Sequence, residues 1–230
     1  MLVISVQAIL EEASSIGRFD SGNIKQLPSL LEAENLRRFR QAYSTVCFLA
    51  FDAVADRAVA DYVQGSTLAD DSGPNILVMF TWHRPAPIVV PVSGADAGQV
   101  GEIHRGVNPS YDLLRTLFDG GKRVPRPPGL VVFGDFTEST DGVYLSLHQE
   151  TTDEVRTHLR SVFADIEEIA EQTKPRKFLD ALGVHWTHVG LEYDRTSARP
   201  IREWLLKGFQ VARRNGGDIV GVVGGLGVLG

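Results

Sequence analysis

Apolar positions along the chain switch between a continuous or alternating pattern and a period near 3.6, and several of the switches fall at Gly, Pro, Asp or Asn. Residues 45–51, TVCFLAF, are apolar without a break and rich in β-branched and aromatic side chains, which predicts a strand buried on both faces. Over 52–65, DAVADRAVADYVQG, the residues Val54, Ala58, Val59, Tyr62 and Val63 recur at helical spacing and Gly65 supplies a stop. DDSGP at 70–74 reads as a turn, and NILVMFTW at 75–82 as a second buried strand. Strand, helix and strand in succession predict a right-handed parallel unit.

A stretch rich in Pro and Gly follows, holding PIVVPVSG at 87–94. A helix is then predicted at NPSYDLLRTLF, 108–118. Asn108 can accept free N–H groups, Pro109 fits the first turn, and Leu113, Leu114, Leu117 and Phe118 make the buried face. GLVVFGDF at 129–136 and VYLSL at 143–147 are strands joined by TESTDG, a link so short that they must pair antiparallel. Thr151 and Glu154 form a capping box for the next helix, whose stripe is Val155, Leu159, Val162, Phe163, Ile166 and Ile169.

The flanks divide the chain into three parts, 1–44, 45–172 and 173–230. The first reads as helical, with Pro28 in a first turn and Leu30, Leu31, Phe39 and Tyr43 on one face; Arg37, Arg38 and Arg40 are diluted by Glu32 and Glu34 and read as a solvated face. In the third, Pro200 opens a helix in which Ile201, Trp204, Leu205 and Phe209 share a face, closed by Arg213, Arg214 and two glycines. That stripe must be covered, either within the chain or as an interface anchored by Trp204, and intramolecular packing is the expectation. The tail DIVGVVGGLGVLG is expected to be an edge strand or a Gly-rich terminus.

From 45 to 172 the order is strand, helix, strand, helix, strand, strand, helix, with Pro127 and Pro128 directly ahead of the third strand. This α/β order resembles the thioredoxin-like fold, a βαβ-α-ββα core in which a cis proline precedes the third strand and the last two strands form a hairpin under a terminal helix. The resemblance implies that fold, extended here by the N-terminal segment and by a C-terminal helix and Gly-rich tail. Two departures stand out. An insertion lies between Pro85 and Val107, and FDAVADR occupies the place where redox members carry Cys-x-x-Cys.

Composition narrows the chemistry. Cys47 is the only cysteine, which excludes an intrachain disulfide, a Cys-x-x-Cys pair and a cysteine-built zinc site, and its place within a strand suits a small buried side chain. A net charge of −6 is the wrong sign for a surface that follows a phosphate backbone, so no nucleic-acid partner is expected. MLVISVQAILEEA lacks a basic n-region and a small-residue cleavage site, and no apolar run reaches the roughly 20 residues of a membrane helix, so a cytoplasmic protein without a membrane partner is expected. Arginine outnumbers lysine, as is common in proteins from high-GC bacteria, so a bacterial source is an expectation from codon usage alone.

Only HWTHVGLEYD, 185–194, gathers metal-ligand residue types. On a helix His185, His188 and Glu192 would share one face as a two-His-one-carboxylate site. Gly183, Val184, Thr187, Val189, Gly190 and Tyr193 instead favour an extended strand, where a spacing of three sends the histidines to opposite faces, and this is the expected structure. Gly225, Gly227 and Gly230 have Gly-x-Gly-x-x-Gly spacing, but a dinucleotide site needs a helix opening at the last glycine, which is not expected here, and no cofactor is assigned. Asp70, Asp135, Glu138 and Asp141 read as turn carboxylates. The sequence therefore favours a non-catalytic module that binds another protein or a second copy of itself. The alternatives are a metal-dependent enzyme using His185, His188 and Glu192, and a membrane-active or assembly protein working through residues 218–230.

Overall fold

The computed structural model describes residues 2–5, 43–65, 67–82, 88–91, 100–103, 109–118, 124–135, 139–200, 203–204 and 218–223. In chain order these form strands β1 (Leu2–Ser5) and β2 (Thr45–Ala50), helices α1 (Arg57–Gln64) and α2 (Leu68–Ser72), and strands β3 (Ile76–Trp82), β4 (Ile88–Pro91) and β5 (Val100–Ile103). Helix α3 (Pro109–Leu117), strands β6 (Gly129–Phe133) and β7 (Gly142–Ser146), helix α4 (Thr152–Gln172), helix α5 (Phe178–His188), and strands β8 (Tyr193–Arg195) and β9 (Asp218–Val223) complete the order. Seven strands build one mixed sheet in the order β1-β9-β3-β2-β6-β7-β8; β4 and β5 pair antiparallel in a separate ribbon within the 85–107 insertion.

β2 and β3 are parallel, as a strand-helix-strand unit requires, and β6 and β7 form an antiparallel hairpin. β2 pairs on its other side with β6, antiparallel. The unbroken apolar run of β2 has a direct cause: its two faces lie in two different cores. Cys47 and Leu49 join Ile76, Val78, Leu130 and Val132 beneath α1, α2, α4 and α5. Val46, Phe48 and Ala50 join Leu77, Met79, Val131 and Phe133 beneath α3 and Trp204. Sheet and helices thus form a three-layer α/β arrangement.

The best-marked helix is placed as its sequence predicts. The Thr151 side chain accepts from the Glu154 amide at 3.3 Å, and the Glu154 carboxylate accepts from the Thr151 amide at 3.1 Å. Val155, Leu159, Val162, Phe163 and Ile166 are buried and Ile169 is partly so. On the other layer Leu113, Leu114, Leu117 and Phe118 are all buried; Asn108 lies outside the described residues. The Pro127–Pro128 bond is cis and leads straight into β6.

Four expectations require correction. The N-terminal segment contributes a strand, not a helix, at Leu2–Ser5, where pairing with β9 supplies partners its own sequence cannot; residues 6–42 lie outside the described residues. The tail strand β9 is not at an edge, because it bonds to β3 on one side and β1 on the other. Asp70 and Asp71 are in the short helix α2, and the turn begins only at Gly73, with φ 75°. Residues 178–188 are a helix and not a strand. Strands from both flanks, β1 from 1–44 and β8 and β9 from 173–230, join the sheet of the 45–172 segment.

Candidate functional site

Helix α5 carries the ligand-type residues, and its buried face explains its conformation. Phe178, Leu179, Leu182, Gly183 and Trp186 are buried against the α4 side of the sheet, while the β-branched Val184 and Thr187 face solvent, where their cost in a helix is only a few tenths of a kcal/mol. A Cβ at Gly183 would run into the Tyr193 phenol, so any larger residue there must displace that ring. The helix ends in a Schellman turn: the Leu191 amide donates to the Trp186 carbonyl at 2.8 Å, the Gly190 amide to the Thr187 carbonyl at 3.3 Å, and Gly190 takes φ 81°.

That turn separates the predicted ligands. His185 is half-buried and its Nε2 lies 3.4 Å from Asp165 Oδ1 on α4. His188 is the last helical residue and exposed, and Glu192 lies beyond Gly190, off the helix and also exposed. Among the described residues no three His, Cys, Asp or Glu side chains are placed to hold a metal ion together. His158, nearly two turns into α4, lies close to the same Asp165: burial pushes its imidazole below the ordinary value, the Asp165 charge opposes this, and His148 adds to it.

The second place to inspect is the β2–α1 junction, where the resemblance implies a redox pair. Its chain is held by two carboxylates. Asp52 Oδ1 accepts from the amides of Val54 at 2.8 Å and Ala55 at 3.0 Å, and Asp56 Oδ2 accepts from the Asp52 amide at 2.7 Å. Cys47 is fully buried within β2 and burial pushes its thiol far up, so no thiolate is presented here. Burial also raises the Asp56 carboxyl above its ordinary value, and the Asp52 charge adds to this against the lowering effect of the Asp52 amide.

Stability should respond to Asp56 with a definite sign. A carboxyl whose folded pKa is raised binds its proton more tightly in the folded state. Its ionisation therefore weakens folding as pH rises from the ordinary aspartate range through the raised value. Asp56→Asn keeps an acceptor for the Asp52 amide and removes the charge. Thermal unfolding across acid to neutral pH should show a flatter profile, with a melting temperature at pH 7 no lower than that of the parent protein. A lower value at pH 7 would show that the charge itself is needed.

A third cluster joins side chains far apart in the sequence. Asp71, with its side chain only 4% exposed, accepts from Arg156 Nε at 3.0 Å and lies 3.4 Å from Arg160 Nε. The Tyr62 hydroxyl donates to the same carboxylate at 3.2 Å, so α1, α2 and α4 meet at one buried acid. Every strong partner of Asp71 is internal, which makes it a structural clamp. Trp204 is likewise internal, 4% exposed, edge-on to Phe48 and Phe133 at centroid distances of 5.4 and 5.2 Å. Ile201, Leu205 and Phe209 lie outside the described residues, as do Glu138 and residues 224–230.

Comparison with protein-family models, with curated proteins and with solved structures found no match. Among the described residues no helix is long and apolar enough to cross a membrane.

Proposed function

We propose that this chain is a non-catalytic interaction module on a redox-silent thioredoxin-like scaffold. The fold reading is supported by the antiparallel hairpin of β6 and β7, by the parallel β2–β3 pair with α4 against β2, and by Pro128 standing directly before β6. β1, β8, β9 and the β4–β5 ribbon are additions to that frame. One observation carries the functional reading: at the β2–α1 junction the carboxylates of Asp52 and Asp56 are spent on backbone amides, and the sole thiol is sealed in the core. A junction that only caps its own chain supports binding more than turnover.

The test uses untagged full-length protein. It should show no thiol–disulfide exchange above buffer and no bound metal after purification. Near-stoichiometric metal that disappears in His185→Ala would replace this reading with the metal enzyme. Turnover of a substrate lost on substitution of one side chain would equally overturn it.

A further inference from the structure

We infer that the segment at 196–204 is a latched strap over the α3 side of the core, with Thr140 as its catch, and that it opens as one unit while the sheet stays folded. Thr140 lies in the link between β6 and β7 and is fully buried. A buried polar residue must place each of its hydrogen-bonding groups, and Thr140 places all of them on the strap. Its amide donates to the Arg199 carbonyl at 2.8 Å and its hydroxyl to the Ser197 carbonyl at 2.9 Å. The same hydroxyl oxygen accepts from the Arg199 amide at 3.1 Å, and the Thr140 carbonyl accepts from the Thr196 hydroxyl at 2.6 Å. Among the described residues none of its hydrogen bonds goes to its own hairpin.

Two further bonds fasten the strap beside the catch. The Thr196 amide donates to the Gly142 carbonyl at 3.0 Å, and the Ser197 amide donates at 2.6 Å to the carbonyl of Leu117, the last residue of α3. Pro200 forms a bridge with Ser139, and its carbonyl accepts from the amides of Glu203 at 3.0 Å and Trp204 at 3.4 Å. One short turn therefore ties the indole over β2 and β6 to the catch.

The strap itself is thin. Of residues 196–200 and 203–204 only Thr196 and Trp204 are buried, while Ala198, Pro200 and Glu203 are exposed. Its hold is a polar lock at one end and an indole at the other, set against the conformational entropy of the whole segment. Those opposing effects are of similar size, which is the condition for a segment to open locally before the domain unfolds. Opening takes the indole off Phe48 and Phe133, so the strap gates an apolar face of the core. The device uses neither Asp52 nor Asp56, so its failure leaves the reading of the β2–α1 junction untouched.

Native-state hydrogen exchange on the full chain, read by NMR, tests this. After correction for intrinsic rates, the amides of Thr140, Thr196, Ser197 and Arg199 and the indole N–H of Trp204 should share one opening equilibrium, at least about tenfold more populated than that of the β2 and β6 amides. Thr140→Val keeps the shape and removes the hydroxyl. It should raise that opening by about tenfold or more at all of these sites, the distant indole included, whereas Thr140→Ser should stay within about threefold of the parent. Ile166→Val, in the core on the other side of the sheet, should speed the β2 and β6 amides several-fold and leave the strap rates unchanged, because it eases global unfolding alone. Strap sites that exchange at the central-strand rate, a Trp204 indole that ignores Thr140→Val, a Thr140→Ser protein as open as Thr140→Val, or equal acceleration of strap and central strands by Ile166→Val would each overturn the inference.

Discussion

Trp204→Ala is expected to cost about 3 to 5 kcal/mol of unfolding free energy, the range for removing a buried large aromatic side chain. The indole lies over the paired strands β2 and β6, edge-on to Phe48 and Phe133, and its Nε1 donates to the Leu113 carbonyl of α3 at 3.3 Å. Three elements distant in sequence thus share one side chain, and alanine would leave a cavity whose walls are sheet and helix backbone that cannot collapse freely. Equilibrium urea unfolding gives the value directly, and the midpoint should fall with little change in slope. A variant that kept its stability but lost a dimer or a bound partner would show that Trp204 faces another molecule in solution.

Local signals were legible wherever neighbours in sequence do the work. The capping box of Thr151 and Glu154 closes over three residues, and the stripe from Val155 to Ile166 recurs at helical period, so α4 could be read residue by residue. The two-faced burial of β2 could be read too, because a strand between two helical layers has no polar side to show. What escaped depends on partners far along the chain. β9 is an interior strand only because β1 closes over it, and its Gly-rich sequence says nothing of that neighbour. Asp71 meets Arg156 across 85 residues, and the one local hint was the i, i+4 spacing of Arg156 and Arg160 on α4.

The strand expected around His185 failed for a more instructive reason. Val184, Thr187 and Val189 do prefer extended backbone, but all three are exposed, where propensity is weak and nothing packs to reinforce it. The deciding residues are Phe178, Leu179, Leu182 and Trp186, whose helical period appears only when the segment is read from 178 instead of 183. The candidate metal set failed to converge because Gly190 ends the helix before Glu192.

Trp186 offers the sharpest comparison with Trp204, since both are buried indoles of the same volume with opposite polar circumstances. Trp186 is fully buried and edge-on to Tyr193 at 6.1 Å, but its Nε1 has no acceptor within hydrogen-bond reach. Trp186→Ala should again cost about 3 to 5 kcal/mol, because the lost volume dominates. Phenylalanine separates the two sites. Trp186→Phe gives up part of the ring but also removes an unpaired buried donor, whose burial costs about 1 to 3 kcal/mol, so the two effects oppose each other. Trp204→Phe gives up the same volume and a hydrogen bond worth about 0.5 to 1.5 kcal/mol, although the Leu113 carbonyl keeps its bond from the Thr116 hydroxyl at 2.7 Å. Urea unfolding of the two phenylalanine variants should therefore place Trp186→Phe clearly above Trp204→Phe in stability. The reverse order would mean that Nε1 of Trp186 is satisfied in solution, as it would be by a buried water bonded to two or three polar groups around it.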